Sequence, residues 1–147
     1  MLVREIMSPY PAYVRMGTDI RRAAEIISVS EVSHLMVLDH DDEFVGVLSE
    51  GDLIRAVLPR YDDVTDAGGT LDDAFRIFVA RGRELADRPI DPLVVLEVVT
   101  VGPADEVARA AVLLLDEELR RVPVIDGGKL LGTLSRADVC RAVLYHS

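Results

Sequence analysis

Apolar residues fall at helical spacing in two stretches of this chain, and the two stretches resemble each other. Ile20, Ala23, Ala24 and Ile27 sit at i, i+3, i+4 and i+7, and so do Val107, Ala110, Ala111 and Leu114. Each set predicts a half-buried helix. Thr18 and Asp105 are the expected N-caps, with Asp19 and Glu106 favourable in the first turn. A short apolar strand precedes each helix, at Ala12–Val14 and at Val98–Val101. Two more follow it, Leu35–Leu38 with Phe44–Leu48, and Val122–Ile125 with Leu130–Leu134. Asp126-Gly127-Gly128-Lys129 between the last pair is a hairpin signal, and Asp39–Glu43 joins the first pair through one residue more. A second helix opens at Ser49 and at Ser135. Each unit therefore reads β-α-β-β-α.

The likeness extends to identity. Gly46–Leu58 and Gly132–Leu144 share eight of thirteen residues at an offset of 86. Residues 12–39 align without a gap on residues 99–126 at an offset of 87, with seven of 28 identical. Two copies of one unit set the architecture before any single motif is considered. The expected organisation is a first repeat over residues 1–58, a helical insertion over 59–90 and a second repeat over 91–147. Within the insertion, Asp62, Asp63, Asp66, Gly68 and Gly69 read as a loop. Thr70 then opens a helix toward Leu85 with Leu71, Ala74, Phe75, Phe78 and Val79 on its apolar side, and Pro89 and Pro92 close the segment. Its aromatics predict packing on one lobe.

Composition narrows the function. Half of the 147 residues are apolar, enough for a core, yet no run approaches the roughly 18 needed to cross a bilayer. The first seven residues carry a charge pair where a signal peptide needs an apolar stretch. One cysteine forms no internal disulfide, in keeping with a cytoplasmic protein. A net charge of −10 argues against nucleic-acid binding, which requires a basic face. It leaves room for a small anion held by a few arginines.

The chemistry concentrates in Ser49-x-x-Asp52 and Ser135-x-x-Asp138. This is the spacing of a capping box with Asp in place of Glu or Gln. A carboxylate there can also accept from both hydroxyls of a ribose, and a serine beside free N–H groups at a helix start can serve a phosphate. The helix-cap role stands with or without a ligand. Asp39–Glu43 invites a calcium reading, but Phe44 stands where a calcium loop needs Gly. His34, His40, His146 and Cys140 have no zinc spacing, and Cys140, aligned with Ile54, reads as a packed apolar residue. No nucleophile is paired with a base.

Two β-α-β-β-α units, each ending Gly-x-x-Ser-x-x-Asp, with Val-Pro-Val-Ile-Asp126 in the second, resemble a tandem pair of CBS domains (a Bateman module). The resemblance covers nearly all of the chain outside residues 59–90. It implies an α/β fold in which the repeats pack through their sheets about a pseudo-twofold axis. It also implies a regulatory, non-catalytic module with two clefts for AMP, ADP, ATP or S-adenosylmethionine, without a required cofactor or metal. Asp52 and Asp138 would hold the ribose, and Ser49 and Ser135 would contact ribose or phosphate. Each cleft would borrow from the opposite repeat. Met7, Ser8, Ala12, Val32 and Ser33 would join Asp138, and Val94, Val95, Val99, Leu119 and Arg120 would join Asp52, with Val47 and Thr133 as further ligand-binding positions. Arg120 and Arg121, with Arg136, have no basic counterparts but His34 in the first repeat, and the Arg120-Arg121 pair reads either as a phosphate clamp or as a solvated helix end favoured by the helix dipole. Met36 replaces the proline found at Pro123, so the two clefts are expected to differ. The resemblance further implies a homodimer and an effector protein that reads ligand-dependent geometry. A ligand-independent dimerisation or interaction module is the alternative, distinguished by whether Phe75 and Phe78 are buried or exposed.

Overall fold

The computed structural model of the protein describes residues 1–57, 66 and 68–145. Asp62, Asp63 and His146 lie outside the described residues. The chain starts with α1 (Val3–Ile6) and β1 (Ser8–Pro9), then forms β2 (Tyr13–Arg15), α2 (Ile20–Ser30), β3 (His34–Leu38), β4 (Phe44–Ser49) and α3 (Glu50–Val57). After α4 (Leu71–Leu85) and a single 3-10 turn (Asp91–Leu93) come α5 (Val107–Asp116), β5 (Arg121–Asp126), β6 (Lys129–Ser135) and α6 (Arg136–Tyr145). The expected mixed α/β architecture is present.

Two three-stranded sheets carry it. In one, β3 lies between β2, its parallel neighbour, and antiparallel β4. In the other, β6 lies between β1 and β5, antiparallel to both. The β5–β6 turn has positive φ at Gly127 (56°) and Gly128 (80°), the geometry a two-residue hairpin favours. Each sheet backs onto its own core. One core contains Val14, Ala23, Ile27, Leu35, Val37 and Leu48, and the other Val107, Ala110, Leu114, Val122, Val124 and Leu134.

The repeats exchange their leading segments. Strand β1 opens the chain but pairs with β6 near its end, Ser8 opposite Thr133. The Val3 and Arg4 N–H groups donate to the carbonyls of Asp105 and Pro103 at 2.9 and 3.0 Å. The segment before the second repeat returns to the first lobe in the same way. Ile90 N–H donates to Thr18 O at 2.8 Å, and Val95 and Val47 exchange bonds of 2.9 and 3.0 Å. Val3 and Ile90, 87 residues apart, are both fully buried, Val3 in the second-lobe core and Ile90, the last residue of the expected insertion, in the first-lobe core. The motif glycines make room for this crossing. A Cβ on Gly132 would meet the Ser8 carbonyl oxygen at 2.5 Å, and one on Gly46 would collide with the Val95 carbonyl oxygen.

Several local expectations shift. Helix α2 is capped by Asp19, whose carboxylate accepts from Arg22 N–H at 2.7 Å, while the Thr18 hydroxyl donates backward to Arg15 O. Asp105 accepts from Gly102 N–H, and Glu106 takes the N-cap position without a side-chain bond. The strand expected at Val98–Val101 reduces to a parallel bridge between Val101 and Val124. Cys140 is exposed, because α6 turns Asp138 and Ala142 inward instead. Ala24 is likewise exposed. The insertion helix α4 starts at Thr70, whose hydroxyl accepts from Asp73 N–H, and it rests against α3. None of its residues is buried, and Phe75 is 68% exposed. No helix among the described residues is long and apolar enough to cross a membrane.

Candidate functional site

Both Ser-x-x-Asp motifs close reciprocal capping boxes. The Ser49 hydroxyl oxygen accepts from Asp52 N–H at 3.1 Å, and Asp52 Oδ2 accepts from Ser49 N–H at 2.9 Å. Ser135 and Asp138 repeat the pair at 3.0 and 2.9 Å. Each carboxylate is thus fixed at a helix start, where the macrodipole favours negative charge. An arginine three residues on joins each: Arg55 reaches Asp52 Oδ1 at 2.6 Å and Arg141 reaches Asp138 Oδ1 at 2.7 Å.

The surroundings then diverge. The Asp52 side chain is 16% exposed and that of Asp138 only 3%. Burial raises the Asp52 pKa, but the Ser49 N–H and hydroxyl and the Arg55 guanidinium outweigh it and hold the group below its ordinary value of 3.8. The Ser8 hydroxyl donates to both oxygens of Asp138, at 2.9 and 3.1 Å.

Asp52 and Ser49 line a cavity of 310 Å³ with Val47, Val95, Val99, Leu119 and Arg121. That volume lies at the lower end of the roughly 300–1,000 Å³ usual for ligand pockets. The cavity gathers these expected residues from both repeats. It also adds His34, Met36, Pro123, Glu97 and Val98, which the sequence reading did not assign. Met36 and Pro123 occupy equivalent positions and meet here, where the sheets face each other. Internal symmetry alone could have flagged them. Burial lowers the pKa of His34 below 6.5, Asp52 and Glu50 oppose this, and Arg121 and Arg120 reinforce it.

The second cleft is not assembled in the same way. Ser8, Ala12, Val32 and Thr133 line a cavity of 250 Å³ together with Pro9, Tyr10, Pro11, His34, Met36 and Arg121, but Ser135 and Asp138 are absent from its wall. Asp138 and Met7 instead border a separate depression with Glu5, Ile6, Arg141, Ala142 and Tyr145. Val94 packs against the first-lobe core. Ser33 shares a 2.9 Å hydrogen bond with His34 Nδ1 and lines neither cleft. Of the expected arginine clamp, Arg121 alone lines the clefts, and its guanidinium donates to Thr133 Oγ1. The Arg120 side chain lines neither, and Arg136 is engaged in donating to the Leu119 and Leu114 carbonyls at the end of α5. Among the described residues no cluster of acidic, histidine or cysteine side chains could hold a metal.

Two lobes built from one repeat, each with a reciprocally capped Ser-x-x-Asp at a helix start, define a tandem-repeat α/β protein. The CBS domain family matches residues 3–59 and 83–145, and the chain belongs to that family, whose paired domains are typically regulatory. The chloroplastic CBS domain-containing protein CBSX2 of Arabidopsis thaliana is 29% identical over 137 residues. The match covers 89% of this chain and 58% of that relative, so the chain spans just over half of its length. An uncharacterised protein of Methanocaldococcus jannaschii is 23% identical, with 98% of this chain and 92% of the relative covered. A crystal structure of CBSX2 in complex with AMP superposes with a TM-score of 0.73 at 28% identity, covering 97% of this chain and 96% of that one. A CBS domain-containing protein of unknown function from Bacillus anthracis shares the fold, with a TM-score of 0.79 at 17% identity over 100% and 95% of the two chains.

Proposed function

We propose that the protein is a regulatory, non-catalytic module that binds an adenosyl ligand in the Asp52 cleft and signals occupancy through the relative placement of its lobes. The observation that carries this reading is one continuous cavity with a fixed carboxylate, apolar walls from both repeats and a single arginine. Asp52 accepts from the ribose hydroxyls, Val47, Val95 and Val99 flank the adenine, and Arg121 takes the phosphate by turning its guanidinium from Thr133 Oγ1. The AMP held by CBSX2 makes AMP the first ligand to test, ahead of ADP, ATP and S-adenosylmethionine. Because both lobes line the cavity, a ligand favours the lobe arrangement to which it binds more tightly.

Thermal unfolding with each ligand in excess tests this. A ligand at about 100 times its dissociation constant adds roughly 2.7 kcal/mol of stability. The expected outcome is a raised melting temperature with AMP that Asp52→Asn abolishes. No shift with any of the four ligands contradicts the reading.

A second reading, association through the insertion without any ligand, is favoured by the exposure of Leu71 (90%) and Phe75 (68%) on α4. It is compatible with the first if a second copy covers that face.

A further inference from the structure

The two motifs share their serine, aspartate and following arginine, yet the hydroxyl bonded to the carboxylate comes from Ser49 of the motif itself in one and from Ser8 of the exchanged segment in the other. Asp138 accepts from three donors within the chain, and Asp52 also from three, the Ser49 N–H and hydroxyl at 2.9 and 2.8 Å and Arg55 at 2.6 Å. In Asp138, Oδ1 takes the Ser8 hydroxyl at 2.9 Å and Arg141 at 2.7 Å, and Oδ2 takes Ser135 N–H at 2.9 Å and Ser8 again at 3.1 Å. The one Ser8 hydroxyl proton is shared between both oxygens, and Asp138 is 2% exposed. In the first lobe the position equivalent to Ser8 is Val95, 87 residues on. Both lie on the exchanged segments and at the same register, Ser8 paired with Thr133 and Val95 bridged to Val47. Valine has no donor, so nothing on that segment engages Asp52.

The cavities agree with the hydrogen bonds. Ser8 lines the 250 Å³ cavity with Val32 and Thr133, and the carboxylate to which it is bonded is not on that wall. Ser8 thus links that cavity to Asp138, which borders a separate depression with Met7 and Arg141. In the Asp52 cleft, Val95 and Asp52 share one open wall.

We propose that Ser8 is a built-in occupant of the diol seat at Asp138. Its hydroxyl takes the places that a ribose would use, so the Asp52 cleft fills first and the Asp138 cleft fills only when Ser8 withdraws. The inference rests on the adenosyl reading above and assigns its order of loading. The segment carrying Ser8 is held by Val3 and Arg4 to the loop before α5 and by β1 to β6. Withdrawal of Ser8 therefore disturbs the contact between the lobes. Hydrogen bonds to a charged partner have net strengths that make the expected penalty at the Asp138 cleft on the order of ten- to hundredfold in affinity.

Calorimetric titration of the full chain with AMP decides it. The wild-type chain is expected to bind one AMP tightly, and Asp52→Asn to lose it. Ser8→Ala, or Ser8→Val, which installs the first lobe's residue, is expected to bind two. Ser8→Ala with Asp52→Asn is expected to keep one, and Ser8→Thr, which retains the hydroxyl, to behave as wild type. Folding of each variant is checked by its unfolding transition. If AMP binds through Asp52 but neither folded Ser8 variant gains a second equivalent, the Ser8 proposal is overturned and the adenosyl reading survives. Two equal sites in the wild-type chain also overturn it. If no variant takes up AMP, both fall together.

Discussion

His34 sits beside Asp52 and Arg121 on the wall of the open cleft, with its pKa pushed below 6.5 by burial first. The folded chain then resists protonating a residue that the unfolded chain protonates freely. Its contribution to stability is complete above pH 6.5 and is lost as the pH falls below that value. His34→Gln is expected to flatten the pH dependence of unfolding free energy just below pH 6.5, measured by denaturant titration, and an unchanged slope would refute the assignment. Asp52 has the same sign at lower pH, with stability present above 3.8 and lost as the pH falls past its depressed value. At the phosphate end, Arg121→Ala is expected to weaken AMP about tenfold and adenosine little, since a charge-assisted bond is lost only with the former. Equal losses for the two would remove Arg121 from the phosphate. Residue types showed where carboxylates and arginines lie but not where they point. Arg120, Arg121 and Arg136 look alike in the sequence, and carbonyls at the end of α5 occupy Arg136.

Among the elements, the exchanged leading segments explain why each motif begins with glycine. Gly46 and Gly132 each lie directly beneath a carbonyl of the crossing segment. Gly46→Ala forces that backbone away and is expected to cost about 1–3 kcal/mol, as overpacking does. Ile90→Ala empties a fully buried site in the first-lobe core and is expected to cost about 2–5 kcal/mol. Urea unfolding measures both, and a Gly46→Ala chain as stable as wild type would contradict the crossing. The helices and hairpins were legible in the sequence because burial imposes a period that survives in both copies. The exchange was legible only through the family resemblance, which put Ser8 with Asp138 and Val95 with Asp52, because Val3 and Ile90 are isolated apolar positions with no period around them. The cap residues were displaced by one because Thr18 and Asp19 can both cap, and the bond to Arg22 N–H decides between them.

At the scale of the whole molecule, the lobes meet along the exchanged segments and also at two kinds of place on their facing sides. One is the open cleft. The other is the hairpin tips, where Lys129 Nζ lies 3.0 Å from Glu43 Oε1 and Phe44 N–H donates to Gly128 O at 2.9 Å. The tip pair is exposed, so salt screens it, and the cleft is where a ligand gains purchase on both lobes. On α4, Leu71 and Phe75 are uncovered, whereas Ala74 and Phe78 are half-buried. If two copies meet there, Phe75→Ser is expected to shift sedimentation equilibrium toward the monomer, and a wild-type chain that stays monomeric at high concentration would refute that contact. The account as a whole turns on the Asp52 cleft being the first adenosyl site. The most direct measurement is an AMP titration followed by backbone amide NMR of the full chain. The account predicts that Ser49, Val95 and Arg121 amides shift at the first equivalent, while those of Ser8 and Asp138 respond only at higher AMP. First shifts at Ser8 and Asp138, with Ser49 and Val95 unmoved, would contradict it.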